Sequence, residues 1–231
     1  MISTAAVPEI YTYFRDAPYT SKDLRPLLRI TTFPFALFVK ADAPWQRLEE
    51  FLETARSHPG PLRYAHPGKG HIYHLLMEAV ERQAAVNLQG FPTKGGAPSL
   101  AAVLNGHVPA GLAATAGGKR YVEGGRLRML AVQHTGRLKW APEVPTFTEL
   151  GHSFGLAPWY LSLFVPARTP DAIATRLHDA IKAAMDDSRF RAALAEAGLE
   201  VDYADPDGVR RDLETDRRVI GGLLQMLGMN P

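Results

Sequence analysis

Two glycines and a histidine that follow a short apolar segment are the residues whose spacing best predicts chemistry in this chain. Leu62–Ala65 predicts a strand, Gly68 and Gly70 predict a turn, and an apolar-faced helix begins at about His71. A strand–loop–helix junction leaves free backbone N–H groups at the helix start and points the positive end of the helix dipole at them. We therefore expect an anion site, for a carboxylate or a phosphate, at this loop.

Histidines near the loop raise the alternative of a metal site. His71 and His74 stand one helical turn apart, and His66 lies upstream. The chain has no cysteine, which excludes cysteine-based metal sites, thiolate catalysis and disulfides, and we expect neither a metal nor a cofactor. A serine hydrolase is equally unsupported, because there is no Gly-x-Ser-x-Gly segment and neither Ser99 nor Ser162 has an evident base beside it.

Length and composition limit the remaining classes. The chain has 231 residues, enough for one large domain or two lobes, with 46% hydrophobic and 22% charged residues, which are ordinary globular values. The net charge is +2 and the basic run Arg210–Arg218 is interleaved with acidic residues, so no nucleic-acid partner is predicted. Met1–Pro8 has neither a basic region nor a long apolar run, and no stretch approaches the length of a membrane-spanning helix. We expect no signal peptide in this chain.

Strand-like and helix-like segments alternate along the chain and must position these residues. Strands are predicted at Leu28–Val39 (one strand, or two bent at Pro34), Leu62–Ala65, Asn87–Phe91, Val108–Ala114, Leu127–Gln133, Trp159–Pro166 and Val201–Tyr203. Helices are predicted at Pro44–Arg56, His71–Ala85, around Leu100–Leu104, and at Pro170–Asp186, Ser188–Ala197 and Pro206–Leu227. Pro92–Pro98 and Thr115–Gly118 are predicted to be loops, and Trp140–Gly151 a proline-rich loop that leads into a short helix. The alternation indicates an α/β protein with a largely parallel sheet.

Two long apolar strands, Leu28–Val39 and Trp159–Val165, bracket the middle of the chain. A segment that folds between two such crossings is typical of a two-lobed, hinged binding protein. We therefore predict an inner lobe of residues 41–157 and an outer lobe of residues 1–40 and 158–231.

Other residues at the ends of predicted elements are candidates for the same site. Lys94 and Gly95 precede a helix and would present further N–H donors, although an ordinary helix entry explains them equally well. Thr115 and Gly117 follow a strand, where glycine turns alone would also account for them. Trp159 begins a crossing strand, a place where aromatic residues more often serve packing.

Several segments together resemble the solute-binding receptors of tripartite tricarboxylate transporters, the Bug-type periplasmic binding proteins. They are Leu62–Ala65 with Gly68-Lys-Gly70 and His74-Leu75, Phe91–Pro98 with Leu104–Val108, Gly125–Val132, Pro142–Gly151 and Trp159–Pro170. The resemblance runs through most of the chain. It implies a type II periplasmic-binding-protein fold of two α/β lobes and hinge closure on a small carboxylate, such as a di- or tricarboxylic acid. It also implies delivery of that ligand to membrane transporter subunits in the periplasm, with no enzymatic activity.

The resemblance also suggests which residues bind the carboxylate. Backbone N–H groups around Lys69, Gly70 and His71 would hold one carboxylate, with charge added by the Lys69 side chain. Gly68 and His74 belong to the same family motif. Ser3 and Thr4 match the Ser/Thr loop of the outer lobe, which would bind the other side of the ligand.

The chain departs from the family pattern in three places. The first two strand–helix units of the outer lobe are absent, so we expect a homodimer or aggregation if the chain is this short. The family's Val-Asp-x-x-x-Asp stretch reads Val108–Ala113, without either acidic residue, and Thr93 stands in place of a tyrosine. These losses leave open an alternative, an orphan protein of that family that docks onto a sensor or another partner independently of ligand.

Overall fold

The computed structural model describes residues 2–4, 20–152, 154–155 and 159–228. The chain divides into two compact units, one formed by Met1–Phe33 with Ala157–Pro231 and the other by Pro34–Leu156. The unit boundary at Pro34 lies before the lobe boundary predicted at residue 41, because the segment 28–39 is two strands rather than one. The extents of functional lobes stay a prediction.

Strands and helices alternate as expected through much of the chain. The strands are β1 (Ile2–Thr4), β2 (Leu24–Phe33), β3 (Phe35–Lys40), β4 (Leu62–His66), β5 (Leu88–Pro92), β6 (Ala110–Ala114), β7 (Leu127–Gln133), β8 (Trp159–Pro166) and β9 (Val201–Ala204). The helices are α1 (Leu48–Ser57), α2 (Ile72–Ala84), α3 (Gly96–Leu104), α4 (Thr115–Glu123), α5 (Asp171–Met185), α6 (Ser188–Glu196) and α7 (Pro206–Met226). A short 3-10 helix, Ser21–Asp23, precedes β2.

The first unit contains a four-stranded sheet in the order β1-β8-β2-β9. All three strand pairs are antiparallel. Beneath the sheet, an apolar cluster joins Leu27 and Leu28 of β2 to Val165 of β8 and to Ala174 and Met185 of α5. The unit is thus held by the two long strands and the helix that follows β8.

The second unit contains a five-stranded sheet in the order β5-β4-β6-β3-β7. One face carries Ala36, Phe38 and Ala65, which pack with Leu100 and Val103 of α3. On the opposite face, Tyr73 of α2 stacks on Phe35 of β3, with ring centroids 4.1 Å apart. The apolar stripe of α1 recurs at helical spacing and is buried as predicted, at Leu48, Phe51, Leu52 and Ala55.

The prediction of a largely parallel sheet is wrong. Only β4 with β5 and β4 with β6 are parallel pairs among the described residues, whereas β3 runs antiparallel to both β6 and β7. The cause is the interior strand β3, between β6 and β7, which comes from before the alternating segment and enters the sheet in the opposite direction. Of the two alternatives for 28–39, two strands separated at Pro34 is the correct one.

Residues Thr115–Gly118 begin the helix α4, so the prediction of a glycine loop is wrong. Glycine lowers helix propensity, but packing overrides that preference here. Gly118 is buried against Phe38 of β3, and a Cβ at this position would overlap the Phe38 ring. The glycine allows the helix to approach the sheet closely.

Two other local predictions also need correction. The loop that was predicted to reach Pro98 ends at Gly95, where α3 begins. The short helix predicted near the end of Trp140–Gly151 is only a turn, in which Thr146 and Glu149 exchange backbone-to-side-chain hydrogen bonds of 2.7 and 3.0 Å. Such a reciprocal pair is typical of a helix start, and Gly151, at a φ of 82°, ends the turn.

No helix in the described part of the chain is both long and apolar enough to cross a membrane.

Candidate functional site

Three helices begin at one edge of the five-stranded sheet. β5, β4 and β6 are neighbouring parallel strands, so their carboxyl ends lie at the same edge. Each is followed by a helix, α2 after β4, α3 after β5 and α4 after β6. The N-terminal N–H groups and the positive dipole ends of three helices therefore collect at this edge, the arrangement by which open α/β sheets bind anions.

The predicted loop, residues 67–71, is the connection from β4 to α2. It is closed by a hydrogen bond from the His71 N–H to the Gly68 carbonyl, at 3.1 Å. Gly70 is buried at a φ of 78°, in the left-handed region that favours glycine. His71 is the residue that caps α2. The sequence thus predicted both the position of the loop and the start of the helix.

Most N–H groups of the loop already have acceptors within it. The Gly70 N–H donates to His74 Nδ1 at 3.4 Å, and the Tyr73 N–H donates to His71 Nδ1 at 3.3 Å. His66 Nδ1 lies 3.2 Å from the Gly68 nitrogen and 2.9 Å from its carbonyl oxygen. The Lys69 amide has no acceptor in the described part of the chain. Because the histidine contacts are long, a carboxylate that forms shorter, charge-assisted bonds can replace them.

A chain of buried polar groups lies beneath the loop. His66 and His74 are only 2% and 6% exposed, and their ring centroids lie 4.5 Å apart. His74 Nε2 lies 3.3 Å from Glu78 Oε1, which also accepts from the Tyr64 hydroxyl at 3.5 Å. The hydrogen bond from His74 lowers the pKa of the Glu78 carboxyl. The carboxylate therefore stays ionised beside the imidazole.

Burial also keeps two histidines neutral. It lowers the pKa of His66 to about 4, with a smaller contribution from the neighbouring His74. It lowers the pKa of His71 to about 4 as well, assisted by His66 and His74. Both rings therefore act as hydrogen-bonding groups rather than as cations near neutral pH.

These two pKa values predict a pH-dependent stability. An unfolded histidine has a pKa near ~6.5, so between about pH 6.5 and 4 the unfolded chain binds more protons than the folded chain. The contribution of the two histidines to the free energy of unfolding is complete above about pH 6.5. It is lost as the pH falls, by up to about 1.4 kcal/mol per pH unit for each histidine. Urea denaturation at pH 7 and pH 5 measures the loss. We expect H71N, which keeps a helix-capping side chain that does not titrate, to lose about 1 kcal/mol less than wild type. The exposed control H107N should lose as much as wild type, and an H71N loss equal to wild type would contradict the prediction.

The second candidate loop, Lys94 and Gly95, lies at the start of α3. Gly95 is the capping residue, and its carbonyl accepts from the Thr93 and Ser99 hydroxyls at 2.9 and 3.1 Å. Thr93 Oγ1 and Ser99 Oγ lie 2.8 Å apart. The hydroxyls fix the loop from below, while Lys94 is exposed. The ordinary role of a helix entry is therefore fulfilled here, and ligand binding by these residues stays a prediction.

Thr115, the candidate after β6, is the first residue of α4 and is fully buried. Its N–H donates to the Pro34 carbonyl at 2.8 Å, which continues the pairing of β6 with β3. By the alternation of strand side chains, Thr115 lies on the same face as Gly111 and Ala113, the face covered by α3. Its hydroxyl has no hydrogen-bond partner among the described residues.

This buried hydroxyl predicts an unusual mutational effect. Burying a polar group without a partner costs about 1–3 kcal/mol, so T115V, which keeps the shape, should raise the free energy of unfolding by about 1 kcal/mol. Chemical denaturation measures the change, with T115S as the control that keeps the hydroxyl. Destabilisation by T115V would instead reveal a bound partner for the hydroxyl.

The remaining candidates lie in the other unit. Ser3 and Thr4 belong to β1, where they pair with Ser162 and Leu161 of β8. Trp159 begins β8 and is half-buried. The neighbouring Tyr160 is buried and donates a 2.8 Å hydrogen bond to Asp216, a packing and hydrogen-bonding role.

The sequence interpretation missed Glu78 and Tyr64 as parts of the site. The available signal was the spacing of Glu78, which lies four residues after His74 on one helix face. Within the described ranges, no group of three or more histidine, aspartate or glutamate residues is arranged to hold a metal.

A separate cavity of about 710 Å³ lies elsewhere in the second unit, and none of the predicted site residues lines it. It borders β7 near Arg128, and Arg47 and Arg137 also line it. Those two arginines already form ion pairs with Glu50 and Glu149. The charges of these two arginines are therefore already compensated by carboxylates of the protein.

Comparison with known proteins gives strong matches. A UPF0065 protein of Cupriavidus necator is 35% identical over 216 aligned positions, and the match covers 88% of this chain and 65% of that protein. The chain thus spans slightly less than two thirds of the length of this relative. A TctC solute-binding protein from Polaromonas, solved without ligand, is 28% identical with a TM-score of 0.80, covering 97% of this chain and 77% of that one.

A protein of R. palustris solved with adipate is 25% identical with a TM-score of 0.87, and the match covers all 100% of this chain and 78% of that one. These matches confirm the type II periplasmic-binding-protein fold that the sequence predicted. The profile of the family described as "Tripartite tricarboxylate transporter family receptor" matches residues 1–229. The chain therefore belongs to the tripartite tricarboxylate transporter receptor family.

Proposed function

We propose that the chain captures a small carboxylate reversibly, as a receptor that serves a tripartite transporter in the periplasm and performs no covalent chemistry. The observation that carries the proposal is the convergence of three helix starts at one sheet edge, with the Gly68–His71 loop at the first of them. The adipate in the R. palustris relative supports a dicarboxylate as the ligand. Membership of the family supports delivery of the ligand to transporter subunits as part of this proposal.

The donors at the loop suit a carboxylate. The Lys69 amide is available, the Gly70 amide is held by a long contact, and the exposed Lys69 side chain adds positive charge. A carboxylate accepts several such bonds at once, and hydrogen bonds with an ionised partner are about twice as strong as neutral ones. Selectivity among carboxylates would come from the length of the ligand and from the groups that meet its second end. Lys94 and Gly95, in the same unit, stay candidates for that role, and ligand binding by Ser3, Thr4 and Trp159 stays a prediction of the sequence.

Isothermal titration calorimetry with mono-, di- and tricarboxylates tests the proposal. We expect a dicarboxylate such as adipate to bind, and K69M to weaken it by roughly tenfold, because a hydrogen bond to a charged group contributes about 1.5–3 kcal/mol. The matched control K22M, an exposed lysine of the other unit, should leave the affinity unchanged. Equal affinities of K69M and wild type would place the ligand elsewhere.

The absence of acidic residues from Val108–Ala113 favours a second candidate function, that of an orphan receptor which docks onto a partner without ligand. Thermal-shift measurements with the same panel separate the two functions. A ligand that binds the folded state at 100 times its Kd stabilises that state by about 2.7 kcal/mol, so a true ligand raises the melting temperature measurably. No shift with any carboxylate would support the orphan function.

A further inference from the structure

The imidazole of His74 lies directly beneath the loop that is proposed to bind the carboxylate. Its Nδ1 accepts the Gly70 N–H at 3.4 Å, and its Nε2 faces Glu78 Oε1 at 3.3 Å. An ionised carboxylate accepts hydrogen bonds but does not donate them, so the proton of the neutral ring lies on Nε2. Two neighbours therefore fix one tautomer, in which Nδ1 is a bare acceptor.

The Gly70 N–H consequently has two competing acceptors, His74 Nδ1 and a ligand carboxylate. The existing contact is longer than an ordinary N–H hydrogen bond, and a carboxylate would make a shorter and stronger one. When a proton is bound at His74 Nδ1, that atom no longer has a lone pair to accept the Gly70 N–H. The Nδ1–H group and the Gly70 N–H would then be two donors that face each other. Protonated His74 therefore cannot hold the Gly70 N–H.

We infer that His74 and Glu78 couple carboxylate binding to the uptake of one proton. When His74 takes a proton from solvent at Nδ1, the Gly70 N–H is released to the ligand and a positive charge lies beneath the bound anion. The affinity for carboxylate then rises as the pH falls. The inference rests on the proposed carboxylate-binding function, and His74 is a positioning residue because it acts through Gly70.

The charged and titratable surroundings favour His74 as the group that takes the proton. The groups around it are His66 and Tyr64 of β4, His71 of the loop, and Glu78 and Glu81 of α2. Burial holds the pKa of His66 and of His71 near 4, so both rings stay neutral at pH 6–8. Glu78, whose pKa is lowered, supplies the counter-charge in contact with His74.

Nuclear magnetic resonance of the ligand-free protein tests the contact itself. In a titration from pH 8 to pH 5, we expect the Gly70 amide resonance to move with the same midpoint as the His74 ring. In H74N the side-chain oxygen still accepts the N–H but does not titrate, so the Gly70 midpoint should disappear. The exposed control H107N should behave as wild type. A Gly70 resonance that ignores the His74 titration, or that still titrates in H74N, would overturn the inference.

Calorimetry with adipate tests the coupling to binding. Between about pH 7 and pH 8 both carboxyl groups of adipate are ionised, so changes in affinity in that range belong to the protein. If binding is coupled to the uptake of one proton, the affinity rises by up to about tenfold for each unit by which the pH falls. Calorimetry in two buffers of different ionisation enthalpy gives the number of protons that are taken up. We expect the affinity of H74N, whatever its size, to be the same at pH 7 and at pH 8, so that the pH dependence of wild type is lost. E78Q should reduce the proton uptake.

The outcomes separate the two proposals. Binding without proton uptake in wild type, or with undiminished uptake in H74N, overturns the inference and leaves the proposed function in place. No binding of any carboxylate at any pH, while Gly70 still follows His74, overturns the proposed function and supports the proton-linked contact alone.

Discussion

Replacing Gly118 with alanine is expected to lower the free energy of unfolding by about 3 kcal/mol, through overpacking of a core that has no room for a methyl group. A Cβ at Gly118 would overlap the ring of Phe38, which is itself fully buried in the interior strand β3. The ring has no open space to move into, because Phe38 lies in an apolar cluster with Leu100 and Met129. Either the helix α4 must move outward or the ring must leave its preferred rotamer.

The adjacent glycine provides a matched control for this substitution. Gly117 is exposed in the same helix, and a Cβ there would lie 3.9 Å from the nearest atom, a methyl carbon of Leu100. Alanine at this position should therefore stabilise the protein by about 0.5–1 kcal/mol, through the higher helix propensity of alanine. Urea denaturation of G117A and G118A measures both changes. Destabilisation of similar size in both variants would show that helix propensity, rather than the contact with Phe38, decides the outcome.

Replacing Arg29 with methionine is expected to destabilise the first unit by about 3 kcal/mol, because it leaves half-buried carboxylates without their counter-charge. The guanidinium donates to Asp212 at 2.6 Å, to the Asp202 carboxylate at 2.9 Å and to the Asp202 carbonyl at 3.1 Å. It also lies 5.9 Å from the ring centre of Tyr160. Its side chain is only 18% exposed, so solvent cannot replace these partners fully.

Arg25, on the same strand, provides the control. It pairs with Asp171 at 2.5 Å, but the Asp171 side chain is 91% exposed. Exposed ion pairs contribute about 0–1 kcal/mol, so R25M should change the stability little. Guanidinium denaturation should give a much larger loss for R29M than for R25M. Equal losses would show that the Arg29 cluster is no better protected from solvent than a surface pair.

Local structure was predictable wherever apolar residues recur in the sequence with a clear pattern. The stripe of Leu48, Phe51, Leu52 and Ala55 repeats with the period of a helix, and β7 is mostly apolar and follows a glycine pair. Both predictions are confirmed. They depend only on neighbouring residues, which is why a single sequence suffices.

Long-range pairing was not predictable in the same way. The direction of β3 in the sheet depends on the path of the chain before the alternating segment. The residues of β3 themselves do not indicate that direction. Likewise, the glycines of Thr115–Gly118 suggest a turn, whereas in the structure Gly118 serves the packing of a helix against the Phe38 ring. A tertiary contact outweighs local preference in both cases.

The candidate site shows the same division. The loop at Gly68–His71 was located correctly, because the strand, the glycines and the helix start are all local signals. The occupation of its N–H groups by histidine nitrogens was not foreseen, since it requires the helix to bring His74 back beneath Gly70. Glu78 was visible by its spacing, but its role depends on the tautomer of His74.

The parallel strands β4, β5 and β6 and the three helices that start at their carboxyl ends form one continuous stretch, from Leu62 to Glu123. The strand β3, against which β6 pairs, precedes that stretch in the chain. During synthesis, the edge with three helix starts can therefore assemble before β7, β8 and β9 have left the ribosome. Contacts that are close in sequence also form fastest. We expect this edge to be among the earliest parts of the second unit to acquire native structure.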